Sequence, residues 1–432
     1  MKKINALALL LSLILSVQAY AQTDIYVRGS GKLFPIALPR LCLQGGDPEA
    51  PKLVPDTISR DLDISGYFEV LNQNAYIETP GKCGGPESVV YSDWSVIGAE
   101  GLVRGVVEPS PEGLRVKLYL YDVQRQKVVL GKEYTGDSSQ VPRMAHRFAN
   151  EIMKFFTGES GVFGTQIAFS SRIGRFKELF VMDMDGSNMR QLTNEHALAM
   201  SPAWNAAGDK LLYTSFRTRV PDLFELDVFS RSARQITKSS NLEVSPHYMP
   251  GRDNFILSLS DGNGSSIIVV DRNGMIVKRL TPSSGTIDVS PSLSPDGSQI
   301  AFCSNRGGSP QIYVMDTEGG SPRRISFVSS NYCTSPSWSP KGDKLAFVCR
   351  SDAGFNMFVS GIDGSNPFQL TSGGDNEDPD WSPDGRYLAF ATTYGHRGVF
   401  NLAIMRADGS GIREISKSRG GDFDPTWGPL IP

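Results

Sequence analysis

Residues 420–432 read GGDFDPTWGPLIP, and DPTW at residues 424–427 is the opening strand of a repeat whose other strands do not follow it. The same opening occurs five times earlier, as SPAW, SPHY, SPSL, SPSW and DPDW. Sliding the sequence against itself gives a period of 44 to 45 residues. Periods of this length are typical of repeat arrays and propellers, so this repeat decides the fold class.

Each unit closes on a hydroxyl residue and then leads into a proline. The closing residues are Thr193, Thr237, Thr281, Ser326, Thr371 and Ser416, and the prolines are Pro202, Pro246, Pro291, Pro336, Pro379 and Pro425. A unit contains four short apolar runs, for example SPSW, KLAFVC, NMFVSG and PFQLT, which are separated by turn sequences such as PKGD at residues 340–343. This pattern predicts a four-stranded antiparallel meander in each unit.

The two ends of the repeat region are complementary half units. The second strand of a unit ends at Phe169, Tyr213, Leu257, Phe302, Phe347 and Phe390. The first of these strands has no opening strand before it, and DPTW has no second strand after it. Pairing the two half units completes a sixth sheet and removes two open strand edges. The sequence therefore predicts an all-β six-bladed β-propeller closed by the C-terminal strand. The alternative is a linear β-solenoid, which does not need complementary half units.

The position two residues after each proline is aromatic in most units. It holds Trp204, Tyr248, Leu293, Trp338, Trp381 and Trp427, which include four of the five tryptophans. One structural position repeated in every blade favours packing between blades over stacking on a ligand.

Residues 22–156 lack the repeat and predict a small α/β domain. We expect a helix over residues 56–64, strands over 102–107, 114–121 and 127–134, and then a final helix. The final helix, VPRMAHRFANEIMKFF, places Met144, Phe148, Ile152 and Phe155 on one face at helical spacing, which we interpret as a core face rather than a partner groove. Residues 157–163 form a short linker, and residues 164–432 form the propeller.

The first 21 residues are predicted to be a secretory signal. Lys2 and Lys3 precede an apolar run over residues 6–17, and Ala21 and Gln22 flank a small-x-small cleavage site. The alternative is a membrane anchor, but the apolar run is shorter than the roughly 20 residues that a spanning helix needs. We therefore expect an exported protein in the periplasm without direct membrane insertion.

Charge and histidine content exclude several kinds of site. The formal net charge is −3 and basic blocks are absent from the sequence, so nucleic acid is not an expected partner. The four histidines are scattered, and no Cys/His spacing indicates zinc. The sequence has no GxSxG nucleophile elbow, and Gly29-Ser30-Gly31 is interpreted as a turn rather than a phosphate loop. We expect no catalytic residues, no cofactor and no metal ligands.

Five cysteines in an exported chain leave at least one unpaired within a monomer. The hairpin that turns at residues 340–343 places Cys333 opposite Cys349 or one residue away, with two buried thiols as the alternative. Cys42 and Cys83 are the remaining pair, and Cys303 is then free.

The loops that lead from each closing hydroxyl to the next proline are predicted to surround one mouth of the central channel. They contain eight acidic residues, Glu195, Glu243, Asp288, Asp375, Glu377, Asp378, Asp422 and Asp424, against Lys238, Lys417 and Arg419. An acidic mouth suits a partly basic protein partner. The alternatives are an ordinary solvated loop face and a bound cation.

The sequence resembles the TolB family, the periplasmic propellers of the bacterial Tol-Pal envelope system. The resemblance rests on the signal, the α/β domain before six repeats, the terminal PTW strand, and the segments SPSLSPDGSQIAFCSNRGGSPQIYVMD and DPDWSPDGRYLAFAT. It implies a monomeric, non-enzymatic adaptor that supports outer-membrane integrity and cell division, with the lipoprotein Pal at the propeller mouth and TolA on the mature N-terminal segment. Two alternatives are an exported propeller that binds or hydrolyses a peptide or sugar in its channel, and a purely structural propeller.

Carried onto this sequence, the resemblance implies two partner sites. The Pal site comprises Glu195, His196, Leu242, Glu243, His247, Asp288, Ser290, Asp375, Glu377, Asp378, Asp422 and Asp424. The TolA site comprises Gln22, Thr23, Asp24, Ile25, Tyr26 and Val27.

Overall fold

The computed structural model of the protein describes residues 33–430, except residues 79, 80, 82, 86, 87, 240, 283, 284 and 397. The predicted signal, its cleavage site between Ala21 and Gln22 and the predicted TolA segment at residues 22–27 lie outside the described residues.

The N-terminal part is one mixed sheet with helices packed against it. Its elements are β1 (Phe34–Ala37), β2 (Cys42–Leu43), α1 (Ala50–Ser65), β3 (Phe68–Val70), α2 (Tyr91–Ser95), β4 (Gly101–Ser110), β5 (Gly113–Asp122), β6 (Lys127–Gly136) and α3 (Val141–Thr157). The strand order is β3-β1-β4-β5-β6, with β2 paired to β4. Strands β4, β5 and β6 form an antiparallel meander, whereas β1 runs parallel to both its neighbours.

Both long helices differ from the sequence prediction in detail. Helix α1 begins before residue 56, because Pro51 is tolerated in the first helical turn, and it ends at Gly66, whose φ of 72° is left-handed. In α3 the prediction for Phe155 is wrong, since its side chain is 41% exposed and Phe156 is buried instead. The buried face is centred between Ala149 and Ile152, so Phe155 falls at its edge.

Six four-stranded antiparallel sheets form the propeller, which confirms the predicted closure. Blade one contains β10 (Ala199–Trp204), β11 (Lys210–Ser215), β12 (Asp222–Asp227) and β13 (Ala233–Gln235). Blade two contains β14 (Leu242–Tyr248), β15 (Asn254–Ser260), β16 (Ser265–Asp271) and β17 (Ile276–Arg279). Blade three contains β18 (Asp288–Leu293), β19 (Gln299–Ser304), β20 (Gln311–Asp316) and β21 (Arg323–Arg324).

The remaining blades follow the same order except for the last. Blade four contains β22 (Cys333–Trp338), β23 (Lys344–Ser351), β24 (Gly354–Gly361) and β25 (Phe368–Gln369). Blade five contains β26 (Asn376–Trp381), β27 (Tyr387–Thr392), β28 (Asn401–Arg406) and β29 (Arg413–Glu414). The closing blade contains β30 (Asp422–Trp427), β7 (Gln166–Ile173), β8 (Phe176–Asp183) and β9 (Arg190–Gln191), so the last strand of the sequence pairs with the first strand of the propeller.

The tryptophans of the repeat pack between blades. Trp204 joins the apolar cluster of the closing blade and donates its indole N–H to the Thr426 carbonyl at 3.2 Å. Trp381 donates likewise to the Ser337 carbonyl at 3.1 Å. Each indole therefore links its own blade to the preceding one.

Two pairs of cysteines are bonded in the structure. Cys42 is joined to Cys83, and Cys333 to Cys349, its direct partner in the β22–β23 register. Cys303 is a buried free thiol whose Sγ lies 3.4 Å from the Cys333 carbonyl.

Candidate functional site

Every innermost strand carries a β-bulge at the residue before its proline. These six residues have φ between 47° and 55°: Ser201, Ser245, Ser290, Ser335, Asp378 and Asp424. The register shifts at the same place in each blade. A bulge redirects a side chain at the cost of ladder hydrogen bonds, and these six residues line the central channel, where they surround a cavity of about 130 Å³. We call this ring the throat.

The closing hydroxyl of each unit has a structural role that explains its repetition. Its oxygen accepts the backbone N–H of the third strand in the same blade, at 2.8 Å in the pair Leu179–Thr193 and 2.9 Å in the pair Met357–Thr371. The four other units repeat the bond at 2.9 to 3.0 Å. The hydroxyl thus fixes the start of the loop that leads to the next innermost strand.

Polar side chains at the start of the third strands hold the same loops. The buried carboxylate of Glu178 accepts the Thr193 hydroxyl at 2.6 Å and the His196 N–H at 2.8 Å. Asp222 accepts the Ser239 N–H at 2.9 Å, and Asn401 accepts the Ser418 N–H at 2.9 Å. The face on which the innermost strands begin, here called the mouth face, is therefore built from braced loops.

The structure separates the eight predicted mouth acids into two groups, and the first is held inside the blades. Glu195 accepts hydrogen bonds from Tyr213 at 2.6 Å and Arg217 at 2.9 Å. Glu243 is buried, and this burial raises its pKa. Asp288 is fully buried and ion-paired with Arg306 at 2.9 Å.

Two further acids are also occupied within the fold. Asp375 accepts the Phe355 N–H at 3.0 Å, and Asp422 is buried at the start of β30. Glu195, Glu243, Asp288 and Asp375 thus bond to other residues of the fold, and with the buried Asp422 they are poorly placed to meet a partner.

The second group lies in or beside the throat. Asp378 and Asp424 are members of the ring, and the Ser335 hydroxyl donates to Asp378 at 2.9 Å. Burial, and next the charge of Asp424, raise the pKa of Asp378. Burial, and then Asp375 and Asp424, raise the pKa of Glu377. The throat therefore holds carboxyl groups that stay protonated at a higher pH than ordinary carboxyl groups do.

Sequence reasoning missed one throat carboxyl, Asp380. It accepts the Trp427 N–H at 2.7 Å and the Ser337 hydroxyl at 3.2 Å, and burial raises its pKa to about 6. The usable signal was its position, because Asp380 lies directly after a repeat proline on an innermost strand.

Four non-acidic residues complete the predicted Pal set. His247 and Ser290 line the throat, and burial lowers the pKa of His247 to about 4. His196 is exposed with its ring against Phe176, and Leu242 is 42% exposed at the start of β14. These residues and the throat acids share the mouth face.

The expectation of an acidic mouth is wrong for the exposed surface. The hairpin turns between second and third strands also reach the mouth face, and they add Arg172, Arg175, Arg217, Arg219 and Arg350, all of them exposed. Among the described residues, these cations together with Lys238, Lys417 and Arg419 outnumber the exposed acids of this face, such as Asp352, even though Arg217 is ion-paired with Glu195. The mouth thus has a basic rim around an acidic throat. The loop acids alone did not indicate a basic rim, because most of them are buried or bonded to other residues of the fold.

The N-terminal part contacts the opposite face of the propeller. Arg60 of α1 pairs with Asp185, in the turn after β8, at 3.1 Å. Behind it, Asp61 and His146 form a buried pair at 2.8 Å that joins α1 to α3. Side chains of α1, α3, β27 and β30 share one apolar cluster. The contact leaves the mouth face uncovered by the described part of the N-terminal region.

Within the described residues there is no group of three or more His, Cys, Asp or Glu side chains arranged to hold a metal ion. In the same part of the chain, no helix combines the length and apolarity required to cross a membrane.

Comparisons with known proteins cover both halves of the chain. The family described as the TolB amino-terminal domain matches residues 25–129, and the TolB beta propeller domain matches residues 153–431. The Tol-Pal system protein TolB of Desulfosudis oleivorans is 35% identical over 292 residues, which are 66% of this chain and 66% of that protein. The protein of the same name from Anaeromyxobacter dehalogenans is 35% identical over 278 residues, 64% of this chain and 63% of that protein. The matched part thus spans slightly less than two thirds of these relatives.

A solved structure resembles nearly the whole chain. The crystal structure of TolB from Acinetobacter baumannii superposes with a TM-score of 0.80 at 27% sequence identity, and the match covers 92% of this chain and 97% of that one.

Proposed function

Since the chain belongs to the TolB family, we propose that it is a periplasmic, non-enzymatic adaptor of the Tol-Pal envelope system. In this role it binds the lipoprotein Pal at the mouth face and TolA through the mature N-terminal segment at residues 22–27, and it supports outer-membrane integrity during cell division. The assignment to this system is supported by two relatives that bear the name Tol-Pal system protein TolB.

The observation that carries the Pal assignment is the combination of a braced rim and an open throat on one uncovered face. Preorganised loops lower the entropy lost on binding, which favours a protein partner that inserts a surface element. The His247 side chain lines this throat and makes no hydrogen bond with another described residue, so a partner's polar group can bond to it.

The geometry divides the predicted Pal residues into direct contacts and residues that act indirectly. Direct contact is proposed for His196, Leu242, His247, Ser290, Glu377, Asp378 and Asp424, which face the throat or rim. Glu195, Glu243, Asp288, Asp375 and Asp422 are proposed to act indirectly, by holding the loops in place.

Affinity capture from cross-linked envelopes, followed by identification of the bound proteins, tests the partners. Calorimetric titration of purified Pal then tests the mouth, using His247→Ala and the control Lys341→Ala in the turn at the other end of a blade. Loss of Pal binding in the first variant and its retention in the second is expected. Failure of the intact protein to capture or bind Pal would contradict the proposed function.

A second candidate is an exported propeller that binds or hydrolyses a peptide or sugar in its channel. The observation in its favour is the meeting of Asp378, Asp380 and Asp424 in one throat, since paired carboxyls with raised pKa values are typical of acid-base catalysis. Release of products from peptidoglycan fragments by the wild type, abolished in Asp380→Asn, would favour this candidate.

A further inference from the structure

The closing blade carries a cluster of cations on the mouth rim for which the described residues provide no ion-pair partner. We call Arg172, Arg175, Lys177, Lys417 and Arg419 the basic arc. The first three belong to the β7–β8 hairpin, and the other two to the loop that leads into β30. Among the described residues, none of the five lies within ion-pair distance of a carboxylate.

Two members of the arc form an unfavourable pair within the hairpin. Arg172 lies directly opposite Lys177 in the β7–β8 register. Like charges directly opposite each other on neighbouring strands destabilise a sheet. A protein normally relieves such a pair with a nearby carboxylate, yet the described surroundings of this hairpin supply none at ion-pair distance.

Aromatic rings hold these cations in place. The Lys177 ammonium lies 3.9 Å from the Phe423 ring centre, and the Arg172 guanidinium lies 5.6 Å from the same centre. Arg175 lies 4.9 Å from the Phe176 ring centre. Rings attract cations through their negative faces without cancelling the charge. The three hairpin cations of the arc are therefore positioned charges available for an external anion.

The position of the arc indicates what kind of anion it meets. The hairpin tip exposes 46% of Ile173 between the two arginines, and the arc borders the throat, since Lys177 contacts the ring of Phe423, the residue before Asp424. Apolar and arginine side chains side by side are typical of protein interfaces. A flat anionic membrane cannot enter the concave throat beside the arc, whereas a protein can contact the throat and the arc at once.

We propose that the basic arc binds an acidic surface of the protein that enters the mouth, an inference that rests on the proposed function. The throat selects the inserted element, and the arc sets the orientation of the partner around it. The like-charge pair is then tolerated because the bound partner's carboxylates neutralise it.

Opposite effects on stability and binding test the arc. Arg172→Glu places an acid opposite Lys177, so the variant is expected to melt at the same or a higher temperature than the wild type. The same variant is expected to bind Pal about tenfold more weakly, chiefly through slower association, with a difference that shrinks as salt rises. The control Lys341→Glu, in a turn at the opposite end of a blade, should leave Pal affinity unchanged.

A second probe separates this inference from the proposed function. A glutamate-rich peptide should bind the wild type at low salt and bind Arg172→Glu/Arg419→Glu much more weakly, even if the intact protein does not bind Pal. Equal binding of both Pal and the peptide to wild type and arc variants would overturn the inference. The inference would also be overturned, in favour of a membrane surface, if the arc variants bound Pal as the wild type does. In that case they would have lost the wild type's binding to phosphatidylethanolamine vesicles that contain phosphatidylglycerol.

Discussion

The indole N–H of Trp427 donates to the Thr165 hydroxyl at 2.8 Å, across 262 residues of sequence. The Trp427 ring also packs against Tyr387, with ring centres 6.3 Å apart. This contact joins the last strand of the propeller to the residue just before its first strand, and to blade five.

Loss of this contact should open the ring. We expect Trp427→Ala to lower the free energy of unfolding by about 3–5 kcal/mol, as for other buried tryptophans. Trp427→Phe keeps most of the apolar contact but leaves Thr165 without its donor. The matched control is Trp338→Phe, because the Trp338 indole N–H has no hydrogen-bond partner among the described residues. Urea unfolding should rank Trp338→Phe as the milder of the two Phe variants, and equal losses would contradict the role of the Thr165 bond.

Protons in the throat should make stability depend on pH. Burial, followed by the charge of Asp424, raises the pKa of Asp378, and burial raises that of Asp380 to about 6. A carboxyl with a raised pKa binds its proton more tightly in the folded state. The stabilisation that the bound proton gives the folded state is therefore fully present below the pKa of the unfolded state, about 4. It is lost as the pH rises through the pKa of the folded state.

Asp378→Asn removes one of these groups. The variant should be more stable than the wild type by about 1–2 kcal/mol at pH 8, and the gain should vanish near pH 4. Thermal unfolding from pH 4 to pH 8 measures the difference. A constant difference between the two proteins over that range would refute the proton linkage.

The buried pair Asp61–His146 should stabilise the N-terminal helices as a unit. Its atoms lie 2.8 Å apart, and the second carboxylate oxygen of Asp61 is buried without a hydrogen-bond partner among the described residues. His146→Leu leaves Asp61 unpaired and should cost about 3–5 kcal/mol, whereas Asp61→Leu/His146→Leu should cost much less than the sum of the single changes. Additive losses in urea unfolding would show that the two residues are not coupled.

Cysteine labelling should count one thiol that is protected by the fold. Burial raises the pKa of Cys303 to about 11, and the other four cysteines are bonded in pairs. Iodoacetamide should label no cysteine of the non-reduced native protein and one after unfolding. Cys303→Ser is the control and should show none in either state, and three or more labelled cysteines in the unfolded wild type would contradict the pairing.

The bulges of the throat should tolerate glycine better than a β-branched side chain. Ser245 has a φ of 54°, a left-handed conformation that costs a non-glycine residue roughly 1–2 kcal/mol. Ser245→Gly should therefore be neutral or stabilising, and Ser245→Val should lower the midpoint of thermal unfolding. Equal midpoints for these two variants would indicate that the backbone conformation is not strained.

Much of the fold could be predicted because a repeat reports the same structural requirement several times. The hydroxyl that closes each unit and the tryptophans after the prolines recur because each blade needs the same backbone bond and the same packing against its neighbour. The repeat does not predict which individual side chains of the N-terminal domain are buried. Phe155 and Phe156 are adjacent in sequence, and only the position of the helix on the sheet decides which one is buried.

The candidate site was predicted less completely, because charge in a sequence does not show where a carboxylate points. Asp288 and Asp378 both lie in the predicted loops that lead to a repeat proline, yet the first, three residues before Pro291, is paired with Arg306 inside a blade, and the second, directly before Pro379, lines the throat. The basic arc was not predicted because three of its cations lie on the β7–β8 hairpin and not in a loop that leads to a repeat proline.

The number of blades, the closure by the last strand and the family resemblance can be read from the sequence, because they follow from local periodicity and from the need to pair open strand edges. The charge of the mouth and the raised pKa values of Asp378 and Asp380 follow instead from the folded arrangement of the blades. Burial and distances between residues far apart in the chain control these properties, and neither quantity exists until the blades close into a ring.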